Sequence, residues 1–215
     1  MNRVVITGMG AVTPIGNDVP SFWEGLKAGK CGIGPITKFD TEEYKVKVAA
    51  EVKEFDPLQY MDKGDVRKYD VFCQYALAAA TQAVEESGVC GTLPPERIGT
   101  YFGSGIGGIG TFAEQQQTLM EKGARRVSPF FIPALIINMA GGLIAIKYDF
   151  QGAAIPSVTA CATGNNAIGE AYRAIKHGYL DAVLAGGSEA AIIPVGVAGF
   201  SNMKALSTCL LYTSD

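Results

Sequence analysis

The sequence contains a single histidine, and this scarcity bounds the kinds of site it can form. Its cysteine, histidine and acidic residues show no cluster with the spacing of zinc ligands, so we expect no metal site. We also expect no bound cofactor. The five cysteines include no Cys-x-x-Cys pair, and their odd number predicts no disulfide framework. Because the N-terminus turns glycine-rich too early for a secretion signal, we expect a reducing compartment and a cytoplasmic protein.

Charge and hydropathy exclude two further classes of partner. Only 18% of the residues are charged and the net charge is −3, so we expect no binding to nucleic acid. The longest apolar stretch, residues 130–146, is interrupted by Pro133, Asn138 and Gly141-Gly142. It is marginal for spanning a bilayer and predicts a buried or interface helix, so we expect no membrane partner. The 215 residues are 48% hydrophobic, enough for one sizeable core or two modest ones.

The stretch around Cys161 is the most distinctive in the chain. Residues 155–160 are an apolar run, which predicts a short buried strand ending at the cysteine. A helical stripe follows, formed by Ala167, Ile168, Ala171, Tyr172 and Ile175. Cys161 would then lie on a sharp strand-to-helix turn, where the helix dipole and free N–H groups stabilise a thiolate. A buried structural cysteine in a turn of small residues remains the alternative interpretation.

A glycine-rich loop supports an alternative interpretation of the function. A predicted strand, residues 97–102, runs into Gly103-Ser-Gly-Ile-Gly-Gly108, which matches G-x-G-x-x-G and precedes a helix. A dinucleotide fold also needs an acidic residue about 20 positions later to bind the ribose. Residues 122–133 contain no Asp or Glu and carry Arg125-Arg126 instead. An NAD(P)-dependent oxidoreductase therefore stays an alternative, and a glycine-lined passage for a long thin substrate fits the loop equally well.

The order of the elements predicts an α/β fold. We expect strands at residues 3–7, 46–52, 97–102, 155–160 and 181–185. We expect helices at residues 18–28, 70–87 and 131–148, and a further helix that follows Asn165-Asn166 and is closed by Gly178. Strands that alternate with helices predict a mixed, mostly parallel sheet with helices on both faces. The helix at 131–148 has little polar surface, so it must be covered nearly all round, by the core and a second subunit.

Six short motifs in order resemble a known family. They are Val4-Val-Ile-Thr-Gly-Met-Gly, Gly103-Ser-Gly-Ile-Gly-Gly, Ser128-Pro-Phe-Phe, Ala160-Cys-Ala-Thr-Gly, Ala185-Gly-Gly-Ser-Glu and Met203-Lys-Ala-Leu-Ser-Thr. In this order and spacing they resemble the N-terminal half of a bacterial β-ketoacyl-[acyl-carrier-protein] synthase II, a condensing enzyme of fatty acid elongation. The resemblance covers about residues 2–208. It implies a thiolase-like layered fold of two similar halves and a homodimer, of which this chain supplies the first half.

The resemblance also implies an acyltransferase with a two-stage reaction. Cys161 would attack the thioester of an acyl group delivered on acyl carrier protein, and its own N–H would stabilise the oxyanion. Malonyl-[acyl-carrier protein] would then lose CO₂, and its carbanion would attack the acyl-cysteine to give 3-oxoacyl-[acyl-carrier protein]. A non-catalytic partner resembling a chain-length factor is a further alternative. The retained Cys161 argues against it, because the nucleophile is typically replaced in that class.

Further residues receive roles only through the resemblance. Ile106 and Phe200 would line the acyl pocket. The partner subunit would complete that pocket with Phe131, Ile132, Leu135 and Ile136. The acidic carrier protein would bind the basic residues Arg67, Lys68, Arg125 and Arg126. Gly64 stands where members of the family often have another basic residue, so the basic patch is expected to be weaker here.

The residues that drive decarboxylation in this family lie in the half that the chain lacks. They are two histidines, a supporting lysine and a gating phenylalanine. The lone His177 follows Cys161 by 16 positions on the same predicted helix. At about 1.5 Å per residue it would lie roughly 24 Å away, at the far end of that helix. We therefore expect the fragment to carry the nucleophile but to be inactive alone.

The end of the chain departs from the family pattern. After Thr208 the family continues with an arginine and a polar, acidic loop, whereas this chain reads Cys-Leu-Leu-Tyr-Thr-Ser-Asp. That string resembles the translation of a transposon-type sequencing adapter. We therefore expect a truncated ketosynthase N-terminal domain at residues 1–208 and a non-native tail at residues 209–215.

Overall fold

The computed structural model describes residues 2–209, which form two compact units. The first unit contains residues 2–10 and 57–189, and the second contains residues 11–56 and 190–209. Residues 210–215, which make up most of the tail predicted to be non-native, lie outside the described residues. The boundary at residue 208 therefore stays a prediction.

Helices and strands are interspersed along the chain, as in an α/β fold. The helices are α1 Val19–Lys27, α2 Lys63–Lys68, α3 Val71–Ser87, α4 Ile109–Lys122, α5 Phe131–Leu135, α6 Met139–Tyr148, α7 Thr163–Lys176 and α8 Pro194–Asn202. The strands are β1 Ile33–Pro35, β2 Val48–Ala50, β3 Ile98–Gly103 and β4 Ala182–Gly187. Helices α1 and α8 and strands β1 and β2 belong to the second unit, and the remaining elements belong to the first.

The parallel pair β3–β4 is the centre of the first unit. Its register runs from Ile98 opposite Ala182 to Gly103 opposite Gly187, so the carboxyl ends of both strands meet at one edge. Alternate strand residues enter different clusters. Tyr101 and Val183 pack with Ala167 and Ala171 of α7, whereas Ile98 packs in the cluster on the α3–α6 side. The prediction of helices on both faces of a parallel sheet is thus confirmed.

Local capping explains where α3 begins and ends. The Asp70 side chain accepts a hydrogen bond from the Phe72 N–H at the N-terminus, and Gly88 ends the helix in the left-handed conformation at φ 59°. The second Asp70 oxygen accepts hydrogen bonds from the Thr111 N–H and hydroxyl, at 2.9 and 2.7 Å. Asp70 therefore also fixes the first turn of α4 beside α3, and the predicted helix at residues 70–87 is confirmed.

Arg97 holds the connection between α7 and β4. Its guanidinium binds both carboxylate oxygens of Asp181, at 2.9 and 2.8 Å. It also donates to the carbonyl oxygens of Gly178 and Tyr179, each at 3.0 Å. Gly178 has φ +80°, the left-handed region that favours glycine, so one side chain and one glycine together set this turn.

The apolar segment predicted as one helix over residues 131–148 is broken. Helix α5 ends at Leu135 and α6 starts at Met139, because Ile136 has an extended backbone. The break lets the Leu135 carbonyl accept a hydrogen bond from the Gly108 N–H at 3.0 Å. No helix within residues 2–209 combines the length and the apolar character that a membrane crossing requires.

Two predicted strands of the first unit are absent from the described structure. Residues 155–160 pair with β3 only at their start, where the Ile155 N–H donates to the Thr100 carbonyl at 2.9 Å. Beyond that point the segment packs against β3 without a ladder, and Ile155 and Val158 are 48% and 51% exposed. Residues 3–7 form no strand because no described strand pairs with them, and Ile6 is 79% exposed.

The second unit has its own small core. Strands β1 and β2 pair antiparallel, and the predicted edge strand at residues 46–52 is thereby confirmed in part. Ile36, Val46 and Val197 form its buried cluster. The buried Glu51 carboxylate accepts hydrogen bonds from the Thr37 N–H and hydroxyl and from the Lys38 N–H. Burial raises the pKa of Glu51, but these hydrogen bonds outweigh it and hold the pKa below its ordinary value.

Candidate active site

Cys161 lies exposed in a single helical turn, Ala160–Ala162, that leads directly into α7. The sequence prediction of a cysteine at the N-terminus of a helix is confirmed. The alternative of a buried structural cysteine fits Cys73 instead, which is fully buried in α3. Burial strongly raises the pKa of the Cys73 thiol, so Cys73 is an unreactive core residue.

Side-chain hydrogen bonds fix the turn that carries Cys161. The buried Thr163 hydroxyl donates to the Ala160 carbonyl at 2.8 Å and accepts from the Thr159 N–H at 3.0 Å. The Asn166 amide donates to the Thr159 hydroxyl at 2.6 Å. Ala160 has φ +51°, a conformation that costs a residue other than glycine energy. The network therefore holds a strained backbone just before Cys161, as is typical of functional turns.

The N–H of Cys161 is available to a ligand. Within the turn, the Ala162 N–H donates to the Thr159 carbonyl and the Thr163 N–H donates to the Ala160 carbonyl. Within residues 2–209 the Cys161 N–H has no such acceptor. An exposed thiol and a free N–H on the same residue can serve as nucleophile and oxyanion donor.

The glycine loop after β3 wraps around a carboxylate. Glu189 follows β4, and one of its oxygens accepts from the N–H groups of Gly105 and Ile106 at 3.1 and 3.0 Å. Its other oxygen accepts from the Ser104 hydroxyl at 3.2 Å, and that hydroxyl accepts from the Gly107 N–H at 2.9 Å. The N–H groups that would cradle a pyrophosphate therefore already bind an anion of the protein.

Close packing accounts for the glycines at the ends of this loop. A Cβ on Gly103 would overlap the Ser157 carbonyl oxygen and lie 2.8 Å from Cγ2 of Thr163. A Cβ on Gly108 would overlap the Ala134 carbonyl oxygen. The glycines let neighbouring backbone segments approach, and the bound carboxylate would repel a phosphate. The structure thus disfavours the nucleotide-binding alternative.

The glycine loop borders the Cys161 turn. A Cβ on Gly105 would lie 3.4 Å from the Ala160 carbonyl oxygen, so the backbones of the two segments are in near contact. Gly105 precedes the predicted pocket residue Ile106, and Ala160 precedes Cys161. The structure therefore brings together two segments that the sequence separates by more than 50 residues.

Four predicted pocket residues lie on α5 or directly after it. Phe131 and Leu135 are half-buried, whereas Ile132 and Ile136 are 57% and 38% exposed. The hydrogen bond between Leu135 and Gly108 places this segment beside the glycine loop. Phe200 lies on α8 in the second unit, so a pocket that contains both Phe200 and Cys161 stays a prediction.

The predicted carrier-binding residues form two groups within the first unit, in which Arg67, Arg125 and Arg126 are exposed and Lys68 is half-buried. Arg67 and Lys68 end α2, and Arg125 and Arg126 lie in the turn after α4. The Lys68 ammonium lies 5.7 Å from the centre of the Phe130 ring. This contact joins the end of α2 to the segment that follows Arg125 and Arg126. A hydrogen bond to Asp65 raises the pKa of Lys68, so this lysine stays charged.

His177 is confirmed at the far end of the helix from Cys161. It caps the C-terminus of α7, whereas Cys161 precedes the N-terminus. It therefore cannot act as a base for that thiol. Among the described residues, no three His, Cys, Asp or Glu side chains come close enough to hold a metal ion.

Sequence reasoning assigned no role to Glu189, Asp70 or Thr163. Glu189 could have been identified, because an acidic residue directly after one parallel strand faces the glycine loop that follows the neighbouring strand. Asp70 was recognisable as an N-cap, but its second contact, with Thr111, spans 41 positions. Thr163 lies in the cysteine motif, but the sequence pattern indicates a role only for the cysteine.

Comparisons with known proteins identify the family. A family model described as "Beta-ketoacyl synthase, N-terminal domain" matches residues 1–211. The 3-oxoacyl-[acyl-carrier-protein] synthase 2 of Coxiella burnetii is 48% identical over 207 residues, which cover 96% of this chain and 50% of that protein. The chain spans about half the length of the curated relatives it matches.

Solved structures show the same fold. The ishigamide ketosynthase/chain length factor matches with a TM-score of 0.85 at 29% identity, over 94% of this chain and 51% of that one. A type II polyketide ketosynthase in complex with its acyl-carrier protein matches with a TM-score of 0.78 at 24% identity, over 94% and 55%. The expected thiolase-like fold, present as its N-terminal half, is confirmed.

Proposed function

The chain belongs to the β-ketoacyl synthase family, whose N-terminal domain it contains, and from that membership we propose that the complete protein is a 3-oxoacyl-[acyl-carrier-protein] synthase of fatty acid elongation. The observation that carries the proposal is the exposed Cys161 with its unoccupied N–H, on a turn fixed by Thr159, Thr163 and Asn166. Relatives that are about half identical over the whole alignment carry the same name.

In the first stage, the Cys161 thiolate attacks the carbonyl carbon of an acyl thioester on the carrier protein. A carbon–sulfur bond forms, and the carbonyl oxygen becomes an oxyanion that the Cys161 N–H stabilises. The bond to the carrier sulfur then breaks, and the carrier leaves as a thiolate that takes up a proton. Acyl-cysteine is the product of this stage. Ile106 and Phe200 are proposed to line the pocket for its acyl chain, and a second copy of the protein is proposed to complete that pocket with its own Phe131, Ile132, Leu135 and Ile136.

In the second stage, malonyl-[acyl-carrier protein] loses CO₂ and its carbanion attacks the acyl-cysteine carbonyl. A carbon–carbon bond forms, the bond to the Cys161 sulfur breaks, and the thiolate is regenerated. By resemblance, two histidines, a lysine and a phenylalanine of the C-terminal half serve this stage. The lone His177 lies at the wrong end of α7, so the 215-residue chain alone should not condense its substrates.

We propose acyl carrier protein and a second copy of the full-length protein as partners. Support for the carrier comes from exposed Arg67, Arg125 and Arg126 on a chain whose net charge is −3, since a local basic surface attracts an acidic partner. Support for the second copy comes from apolar residues that stay exposed in this chain, such as Ile132 and Ile146 at 57% and 77%.

The test is acylation of Cys161 in the full-length protein. The protein is incubated with acyl-loaded carrier protein, or with the cysteine-directed inhibitor cerulenin, and the adduct is located by peptide mass spectrometry. We expect the added mass on Cys161 and its loss in Cys161→Ala. Cys31 and Cys90 are also exposed and serve as internal controls, because exposure alone would label all of these thiols equally.

The same experiment separates the alternatives. An adduct spread evenly over Cys31, Cys90 and Cys161 would contradict a specific nucleophile. An unlabelled Cys161 would favour a non-catalytic partner resembling a chain-length factor. If NAD(P) bound while Cys161 stayed unlabelled, the oxidoreductase alternative would replace the proposal.

A further inference from the structure

The contact between Glu189 and the glycine loop takes no part in either stage of the proposed reaction. The loop follows β3, whereas Glu189 follows β4, 83 or 84 positions later in the sequence. One carboxylate nevertheless gathers the N–H groups of Gly105 and Ile106 and the Ser104 hydroxyl. Through Ser104 it also holds the Gly107 N–H.

The anchored segment is the one that faces Cys161. Gly105 is in near contact with the Ala160 carbonyl, and the Ile106 backbone is held by Glu189 at 3.0 Å. On the other side, the Gly108 N–H is held by the Leu135 carbonyl. Residues 105 and 108 are therefore fixed from outside the loop, and the Ile106 side chain lies between these two anchors.

The strength of the contact comes from its charge. Hydrogen bonds from N–H groups to a carboxylate are about twice as strong as those between neutral groups. Without Glu189, the Gly105 and Ile106 N–H groups would have to bind water, which holds no fixed direction. The loop would then sample several positions, and the Ile106 side chain would follow its backbone.

We propose that Glu189 is a positioning residue for acyl-chain selection, which fixes Ile106 against the Cys161 turn. This role rests on the acyltransferase function proposed above. Glu189 touches neither the sulfur nor the acyl group; it acts through the loop backbone. A fixed Ile106 side chain gives the pocket a defined length. A pocket discriminates between acyl chains of different length only when the residues that line it keep fixed positions.

The test compares Glu189→Ala and Glu189→Gln with the wild type in the full-length protein. The first readout is hydrogen exchange of the segment 104–108, followed by mass spectrometry. We expect exchange at Gly105 and Ile106 to rise by about tenfold or more in Glu189→Ala, as follows from the loss of a hydrogen bond to a charged group. Glu189→Gln keeps one acceptor oxygen, so its exchange rate should lie between those of the wild type and Glu189→Ala.

The second readout is chain-length discrimination during acylation of Cys161. The rate constants for a short and a long acyl chain on carrier protein are measured, and their ratio should move towards unity by about threefold to tenfold in Glu189→Ala. Alkylation of Cys161 by iodoacetamide needs no acyl pocket, so its rate should stay within about twofold of the wild type. A merely structural role would change both rates together.

Controls make each outcome decisive. Glu170→Ala removes an exposed carboxylate of α7 that pairs with Arg173, and should leave both readouts unchanged. Slow exchange in α3 verifies that a variant is folded; if Glu189→Ala fails this criterion, Glu189→Gln decides. Unchanged exchange and an unchanged chain-length ratio would overturn the proposal, as would a parallel fall in acylation and alkylation. If wild-type Cys161 is not acylated at all, the proposed function itself fails.

Discussion

Replacing Gly103 by alanine tests whether close backbone packing shapes the Cys161 turn. Gly103 ends β3, and a Cβ there would overlap the Ser157 carbonyl oxygen and approach Cγ2 of Thr163 to 2.8 Å. Ser157 and Thr163 lie on the two sides of Cys161. The Ser157 oxygen belongs to the backbone and cannot rotate away, so the whole segment must move.

The expected cost follows from overpacking. Forcing an extra methyl group into a filled site typically costs 1–3 kcal/mol, and an immovable backbone neighbour places Gly103→Ala at about 2–3 kcal/mol or more. The free energy of unfolding of the full-length protein, measured by denaturant titration, provides the magnitude. Because the Cys161 turn must also shift, the rate of iodoacetamide alkylation at Cys161 should change as well.

Gly64→Ala is the matched control. Gly64 lies on exposed α2, where the nearest atom to an added Cβ is the Asp62 side-chain oxygen at 3.0 Å. The helix gains propensity from alanine, so the stability should change by no more than about 1 kcal/mol. If Gly103→Ala were as stable as Gly64→Ala and reacted like the wild type, the close approach of Ser157 to β3 would be wrong.

Three other perturbations have expected outcomes. Arg125→Glu combined with Arg126→Glu should weaken binding of acyl carrier protein, and more so at low salt, because it replaces attraction by repulsion. Glu51→Gln should make the stability of the second unit depend less on pH in the acid range. The folded-state pKa of Glu51 lies below its ordinary value of 4.5, so the stabilisation from the ionised carboxylate is present above pH 4.5 and is lost as the pH falls through the folded-state pKa. Arg97→Ala should lower the melting temperature, because it removes the four hydrogen bonds that the guanidinium donates to the connection between α7 and β4.

Each of these predictions has its own control. Lys45→Glu changes the same kind of charge on an exposed loop of the second unit and should leave carrier binding intact. Equal loss of stability in wild type and Glu51→Gln between about pH 5.5 and about pH 3.5, which is the range one unit either side of the ordinary pKa of 4.5, would contradict the account of Glu51. Arg173 forms an exposed ion pair with Glu170, so Arg173→Ala should lower the melting temperature less than Arg97→Ala.

Local signals were sufficient for much of the fold. Helix α3 begins after Asp70 and ends before Gly88, because a capping side chain and a left-handed residue act within one helical turn. The strand ending at Gly103 and the helix after Cys161 were predicted from hydrophobic periodicity, which again depends only on near neighbours. His177 was correctly assigned to the end of α7, because the rise of a helix converts sequence separation directly into distance.

Local signals failed where a distant segment decides the conformation. Residues 155–160 have the composition of a buried strand, yet strand pairing requires a partner along the whole length, and β3 provides one only as far as Thr100. The helix predicted over residues 131–148 breaks after Leu135, where the Gly108 N–H takes its carbonyl as acceptor. Neither partner is visible from the segment itself.

The sequence by itself therefore determined that Cys161 stands on a turn at the start of a helix and that no histidine of this chain can serve it. It also contained the motifs by which the family was recognised. Only the tertiary structure decided that the glycine loop binds Glu189 rather than leaving its N–H groups to a nucleotide, and that this loop lies beside the cysteine. The reason is physical: helix caps and periodicity act over a few residues, whereas those contacts arise because two parallel strands end at the same edge of the sheet.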